Sequence, residues 1–402
     1  MSQVKIQYEA YPYPHRDPAD EARRLVTGSP SHPLEIDHFL FGGRRDWAQP
    51  LRVLVAGGGT GDGLIQLAQM MAQLGRPADI TYVDLSAASR RIAEARAQAR
   101  GLKGIRFITG SLLDAPDWGP FDYIDCCGVL HHLPDPAAGF SALHAALAPE
   151  AAERGGGLGF MVYAPYGRAG VYPLQAAFGA LFQGLAPEAR LKAAKALVAD
   201  LPAGHPFVGN PNLGDHKDSD AGFYDLLLHS QDRAFDVSDL LEVLDVSGWA
   251  LSGFTMPALY DLSRIAPVPE HLDAAQQMAV AEQLRGTIKT HVAYAVPKGA
   301  SRGLADGRSQ ALVPHLKGVQ AAPLAQAIAR GQKPKLNSGG IDAVLSLPKD
   351  AAPLIAAIDG RRNLTGIAQT ARMDPIRMGT LWPKVHRELG DWGLLLYAAA
   401  LG

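Results

Sequence analysis

The stretch from Leu51 to Gly63, LRVLVAGGGTGDG, restricts what this chain can fold into more than any other. Val53, Leu54, Val55 and Ala56 form an apolar run of the kind found in a strand buried on both faces. Glycines at 57, 58, 59, 61 and 63 come next. They let the backbone turn sharply and let a ligand approach it, because no Cβ stands in the way. Leu64 to Met71 has helical composition and no breaker. Strand, glycine turn and helix make the opening unit of a doubly wound sheet, whose ligand sits at the carboxyl end of the strand.

The same alternation repeats further along the chain. Asp79 to Val83 reads as a second strand ending in Asp84. An acid about 20 positions after the glycines, at a strand tip, suits the two hydroxyls of a ribose. Ala87 to Arg100 reads as the returning helix, closed by Gly101. Further strands are predicted at Ile105–Thr109, before GSLLD, at Phe121–Cys127, before GVLHHLPDP, and at Gly157–Tyr163.

Together, LVAGGGTGDG, the Asp84 tip, the GSLLDAP loop and FDYIDCCGVLHHLPDP resemble a class I S-adenosylmethionine-dependent methyltransferase, in the right order with the right gaps. Gly57, Gly59 and Gly61 fit its G-x-G-x-G pattern rather than the G-x-G-x-x-G of dinucleotide binders. The resemblance implies an α/β fold with a doubly wound, seven-stranded, Rossmann-like sheet of order 3-2-1-4-5-7-6, its last strand antiparallel. It implies S-adenosylmethionine as cofactor and S-adenosylhomocysteine as product. Gly57, Gly59 and Gly61 would meet the amino acid part, Asp84 and Leu85 the ribose, Leu113 and Asp114 the adenine. Cys127 and Gly128 would lie under the sulfonium. One position departs: where the family has an acid two residues before the first glycine, this chain has Val55, and Asp62 or water would have to replace its contact to the cofactor's ammonium.

Composition excludes other classes. Lys plus Arg number 38 against 40 Asp plus Glu, so no basic excess marks a nucleic-acid binder. The N/D-P-P-Y/F motif of base-modifying methyltransferases is also missing. The two cysteines, Cys126 and Cys127, are adjacent, which excludes a disulfide framework and predicts a reducing, cytoplasmic setting. No run approaches the ~20 apolar residues of a membrane span, and the start shows no secretory signal.

The sequence divides into residues 1–40, a Tyr/Pro-rich flap, residues 41–298, the methyltransferase domain with an acceptor lid inserted at 166–236, and residues 299–402. In the flap, the prolines of YEAYPYPHRDP are expected to hold the segment extended, with short helices at Asp20–Leu25 and Asp37–Phe41. The insertion reads as two helices, Leu174–Leu185 and Pro187–Leu201, then a polar loop from Gly204 to Asp220. Ser238 is the expected cap of the helix Asp239–Ser247. The last segment reads as a mainly helical, winged-helix-like domain ending in a strand near Trp392–Leu396. Lacking a dense basic face, it suits protein contact or a homodimer better than DNA.

Methyl transfer needs a nucleophile in line with the methyl carbon and, for an amine, a base. His132, His216, His229 and Tyr166 are the candidate catalytic residues. Tyr11, Tyr13, Tyr163, Arg168 and Tyr224 are the candidate acceptor-binding residues, and Tyr11, Tyr13, Tyr163 and Tyr166 are expected to hold a cationic amine by cation–π attraction. That favours N-methylation of a protein or peptide side chain, or of a small amine-bearing molecule. O- or S-methylation, or a non-catalytic cofactor-binding role, are the alternatives. The plain readings are that His229 shares protons with Asp225 in a core and that Asp232 pairs with Arg233. Adjacent histidines and adjacent cysteines do not match zinc-pair spacing, so no metal is expected.

Overall fold

The computed structural model describes residues 3–338 and 341–399. In chain order the elements are α1 (Gln3–Ala10), α2 (Pro33–Leu40), β1 (Leu51–Ala56), α3 (Asp62–Gln73), β2 (Ala78–Asp84), α4 (Ala87–Ala99), β3 (Ile105–Thr109), β4 (Tyr123–Cys127), α5 (Pro136–Ala145), α6 (Ala151–Arg154) and β5 (Gly157–Tyr163). The insertion holds α7 (Val171–Leu181), α8 (Pro187–Ala199), α9 (Asp215–Asp218) and α10 (Asp220–Leu227). Then come α11 (Val237–Val246), β6 (Trp249–Phe254), α12 (Ala274–Arg285) and β7 (Thr290–Pro297). The C-terminal part comprises β8 (Val313–Leu316), α13 (Ala321–Ala329), β9 (Lys335–Ser338), β10 (Ile341–Val344), α14 (Ala352–Ala356), α15 (Leu364–Thr370), α16 (Pro375–Val385) and β11 (Leu395–Ala398).

The main sheet has the order β3-β2-β1-β4-β5-β7-β6, and β7 runs antiparallel to both its neighbours. Its central strands are buried on both faces: Leu54, Ile124 and Leu158 pack under α5 and α11, while Val53, Val55 and Tyr123 pack towards α2 and α3. That double burial is why β1 reads as an unbroken apolar run.

Several local expectations shift. Gln3 to Ala10 contains no breaker and forms a helix, so the flap is extended only from its prolines onward. The expected helices at Asp20–Leu25 and Asp37–Phe41 lie earlier, as a 3₁₀ turn at Pro18–Ala22 and as α2; in both, a proline occupies the first turn and starts the helix. The cap of α11 is Asp236 rather than Ser238, its side chain accepting from the Asp239 amide. The terminal strand runs Leu395–Ala398, because Gly393 at φ +68° ends the preceding helical turns.

Residues after β7 form two small two-stranded sheets, β8 with β11 and β9 with β10, among four helices. They pack on α2: the Tyr397 amide donates to His38 Nδ1 at 3.1 Å and the Ala399 amide to Asp37 Oδ2 at 2.9 Å. Lys317 pairs with the buried Glu35, and Arg264 bridges to Asp391 at 2.8 Å.

Burial drives the His38 pKa from 6.5 down to about 3. The native imidazole therefore stays neutral while the unfolded chain takes a proton below pH 6.5, so stability is lost as pH falls from there towards 3. By ~1.36 kcal/mol per pH unit, the loss at pH 4 is roughly 3 kcal/mol. Urea unfolding at a series of pH values is expected to show His38→Gln less stable than wild type at pH 7, with that gap shrinking by about this amount at pH 4. A gap that does not change with pH refutes a neutral, buried His38.

Candidate active site

The carboxyl edge of β1, β2 and β4 carries the first half of the site. Gly57, Gly59 and Gly61 all adopt positive φ, at 69°, 52° and 103°. A Cβ on Gly57 would lie 2.5 Å from Val129 Cγ2, and one on Gly59 would lie 2.9 Å from the Tyr13 carbonyl oxygen. The loop therefore has no room for side chains; the Gly57 and Gly58 amides donate to the Val83 carbonyl and the Gly61 amide to the Gly58 carbonyl, and the N-terminal segment passes over Gly59. Asp84 closes β2; its Oδ2 accepts from the Gly59 amide and its Oδ1 from the Ser86 amide, both at 2.8 Å. These bonds fix the carboxylate at the cleft. Leu85 and Leu113 are exposed although apolar, each just beyond a strand tip. Asp114 sits on the 3₁₀ turn after β3, Cys127 ends β4 exposed, and Gly128 turns at φ +79°.

The N-terminal segment is fastened over this cleft. Glu9 accepts from the Ala87 amide at 2.6 Å, Thr60 Oγ1 donates to the Pro14 carbonyl at 2.7 Å, and Arg16 pairs with Asp62 at 2.6 Å. Asp62 also takes Arg96 at 2.8 Å, so both its oxygens are committed and it does not stand in for the acid missing at Val55. Across the sheet, the register partner of Val55 is Asp125 on β4. Asp125 accepts from Ser31 and Tyr123, lies 3.3 Å from where a Gly63 Cβ would be, and is pushed by burial up to about 6. A carboxylate is thus present at the level of Val55, one strand over.

The second half of the site lies beyond β4 and β5, under the insertion. His131 and His132 come after β4, Tyr163 ends β5, Asp225 sits on α10, and His229 and Asp232 lie just past it. Tyr8 on α1 donates to Asp225 Oδ1 at 2.9 Å, and Tyr163 donates to Asp225 Oδ2 at 3.1 Å. His229 Nδ1 accepts from the Gln231 amide at 3.1 Å, so its proton is on Nε2, 3.2 Å from the Tyr8 hydroxyl. His132 donates Nδ1–H to the Gln231 carbonyl at 3.1 Å, which leaves its Nε2 with a lone pair. The two imidazoles stack at 3.8 Å, and burial pushes both down to about 3. Burial also raises the Asp225 carboxyl above its ordinary range.

The structure brings His132, His229, Tyr163 and Arg168 into one cluster and separates the other candidates from it. Tyr13 passes over Gly59, near the charges of Asp225 and Arg168. Tyr11 and Tyr224 stack on each other at 5.0 Å and tie the flap to the lid. His216 packs on Phe207 at 4.9 Å. Tyr166 opens the turn after β5 and, among the described residues, is not part of the ring cluster. The expected cation–π role of Tyr163 is already filled, since the Arg168 guanidinium lies 3.6 Å from its ring centre. Arg168 is also the partner of Asp232, at 3.0 Å, whereas Arg233 pairs with Asp239. Sequence neighbours point apart here, and the ion pair is made across the insertion. Tyr8, Asp225, His131 and Asp232 join the cluster without being among the candidates above; the adjacency of His131 to His132 and the nearness of Asp225 to His229 are their signals in the sequence.

Residues 54–152 match the family described as a methyltransferase domain. That match falls on the strands that carry the glycine loop and Asp84. These residues carry a methyltransferase domain, set in a Rossmann-like sheet. The residues present fit S-adenosylmethionine: glycines that clash with any Cβ, a fixed carboxylate at the second strand tip, and the exposed apolar side chains of Leu85 and Leu113. Over 262 residues the chain is 32% identical to syc1184_c of Synechococcus sp., described as uncharacterized, covering 63% of this chain and 59% of that protein. The chain thus spans a little under three fifths of the curated relative it matches. In fold it is similar to PKMT2 from Rickettsia typhi, with a TM-score of 0.62 at 14% identity, over 93% of this chain and 77% of that one. The AdoHcy complex of PKMT2 gives 0.61 at 14% identity, over 92% and 75%. The likeness in fold therefore extends over the insertion and the C-terminal part. No helix among the described residues is long and apolar enough to cross a membrane.

Proposed function

We propose that this chain transfers a methyl group from S-adenosylmethionine to an amine, on a protein or peptide side chain or on a small molecule. The observation that carries this is Asp225. It is 4% exposed, receives two tyrosine hydroxyls, and has no ion-pair partner among the described residues. A buried carboxylate without a counter-ion is costly and is a mark of a functional site. An incoming ammonium supplies the missing charge.

When bound, S-adenosylmethionine supplies an electrophilic methyl group on a sulfonium. Asp225 accepts a proton from the ammonium, for which its raised pKa suits it. The deprotonated nitrogen would then hold a free lone pair towards the methyl group that the bound cofactor supplies. Tyr8 and Tyr163 hold the carboxylate in position throughout. The N-terminal helix and the insertion exclude water.

The test uses cofactor with a tritiated methyl group and fractionated cell lysate. Label is expected in a form that survives mild alkali, as an N-methyl group does. Label released by alkali as an ester, or transfer undiminished in Asp225→Asn, sinks the amine reading.

A further inference from the structure

His131 has a ring that is fully buried and unsatisfied. It is 0% exposed, neither ring nitrogen has a hydrogen-bond partner among the described residues, and it packs between His132 at 4.1 Å and Tyr163 at 3.9 Å. A buried polar atom left unpaired is costly, so two on one ring need an explanation. A second unsatisfied group lies beside it. The Asp232 side chain is 0% exposed; its Oδ2 takes Arg168 and Gln175, both at 3.0 Å, while Oδ1 has no partner. The third is the lone pair on His132 Nε2. One ligand atom from each of the three residues lies within 4.8 Å of the others.

We propose that His131, His132 and Asp232 hold one first-row divalent cation, zinc by their donor set, which clasps the end of β4 to the end of the acceptor insertion. Tetrahedral zinc with ligands at about 2.0–2.1 Å spaces them roughly 3.4 Å apart, so side-chain shifts on the order of 1 Å close the site. Ligation uses the imidazole lone pairs, and those of His131 are unspent on hydrogen bonds among the described residues. The outer contacts are of the orienting kind: the Gln231 carbonyl holds His132 by its other nitrogen, and Arg168 and Gln175 hold the far oxygen of Asp232. Three protein ligands leave a position for water. The nearby guanidinium of Arg168 opposes a cation, so the metal is expected to exchange with chelators.

A second group, His132, Asp225 and His229, is equally compact but does not qualify. The lone pair of His229 is spent on the Gln231 amide. Its ring also stacks on His132 at 16° between planes, and two imidazoles bound in-plane to one ion cannot be parallel and offset. Asp225 thus stays outside the ligand set, and the metal is independent of the amine reading.

The test is a Co²⁺ titration of the full chain after chelator treatment, without cofactor or acceptor, followed by competition with Zn²⁺. A single equivalent is expected, with visible d–d absorption that Zn²⁺ abolishes, and Zn²⁺ is expected to raise the melting temperature. His131→Asn and Asp232→Asn are each expected to weaken Co²⁺ binding by about tenfold or more, and His229→Asn by less than about threefold. Absence of Co²⁺ binding to wild type overturns the proposal. So does wild-type affinity in both ligand variants, or loss of binding in His229→Asn. Circular dichroism checks each fold; should His131→Asn unfold, Asp232→Asn decides, because its amide oxygen can still accept from Arg168.

Discussion

Asp225→Asn is expected to lower kcat for methyl transfer by about 10²–10⁴-fold, the usual contribution of a positioned base, while leaving cofactor affinity nearly unchanged. The substitution is close to isosteric, and the amide oxygen can still accept from Tyr8 or Tyr163, so the fold is retained. Both the negative charge and the proton acceptor are lost. Asp225→Glu, which keeps both but misplaces them, is expected to recover part of the rate. Steady-state kinetics beside calorimetric titration with S-adenosylhomocysteine separates the two quantities. A variant with weakened cofactor binding and normal kcat refutes the assignment of Asp225 to the acceptor.

Asp84→Ala is expected to weaken cofactor binding by at least about 100-fold. A hydrogen bond to a charged group is worth about 1.5–3 kcal/mol, and the ribose offers two hydroxyls to one carboxylate. The side chain also orders its own loop through the Gly59 and Ser86 amides. Asp84→Asn, which retains one acceptor oxygen, is expected to lose less. Calorimetry with S-adenosylhomocysteine measures the loss. Affinity of Asp84→Ala within about threefold of wild type, set against the 1.5–3 kcal/mol of each such bond, places the sugar elsewhere. Gly57→Ala tests the glycine loop separately, because the added methyl meets Val129 at 2.5 Å.

The cofactor half of the site was legible because its parts are local. The glycine turn, the strand before it and the acid at the next strand tip lie within a few residues of the elements that present them. Strand order and the antiparallel β7 came with the resemblance that those segments carry. The cluster under the insertion was legible only in part. His132, His229, Tyr163 and Arg168 were picked out, yet what each one touches depends on residues far away in the chain. Tyr8 reaches Asp225 across a sequence separation of 217 residues, and Arg168 reaches Asp232 across 64. The ring of Tyr163, expected to meet a cationic amine, is covered by Arg168 for the same reason.

What the sequence by itself determined is the sheet and its ligand edge, because apolar periodicity and glycine steric freedom act over a few bonds. What only the tertiary structure decided is which polar side chains become buried together and which of their lone pairs stay free. Asp125 beside Val55, Asp225 with no ion-pair partner among the described residues, and the unsatisfied His131 are all of that kind. Desolvation is a property of packing between distant segments, and no spacing along the chain encodes it directly.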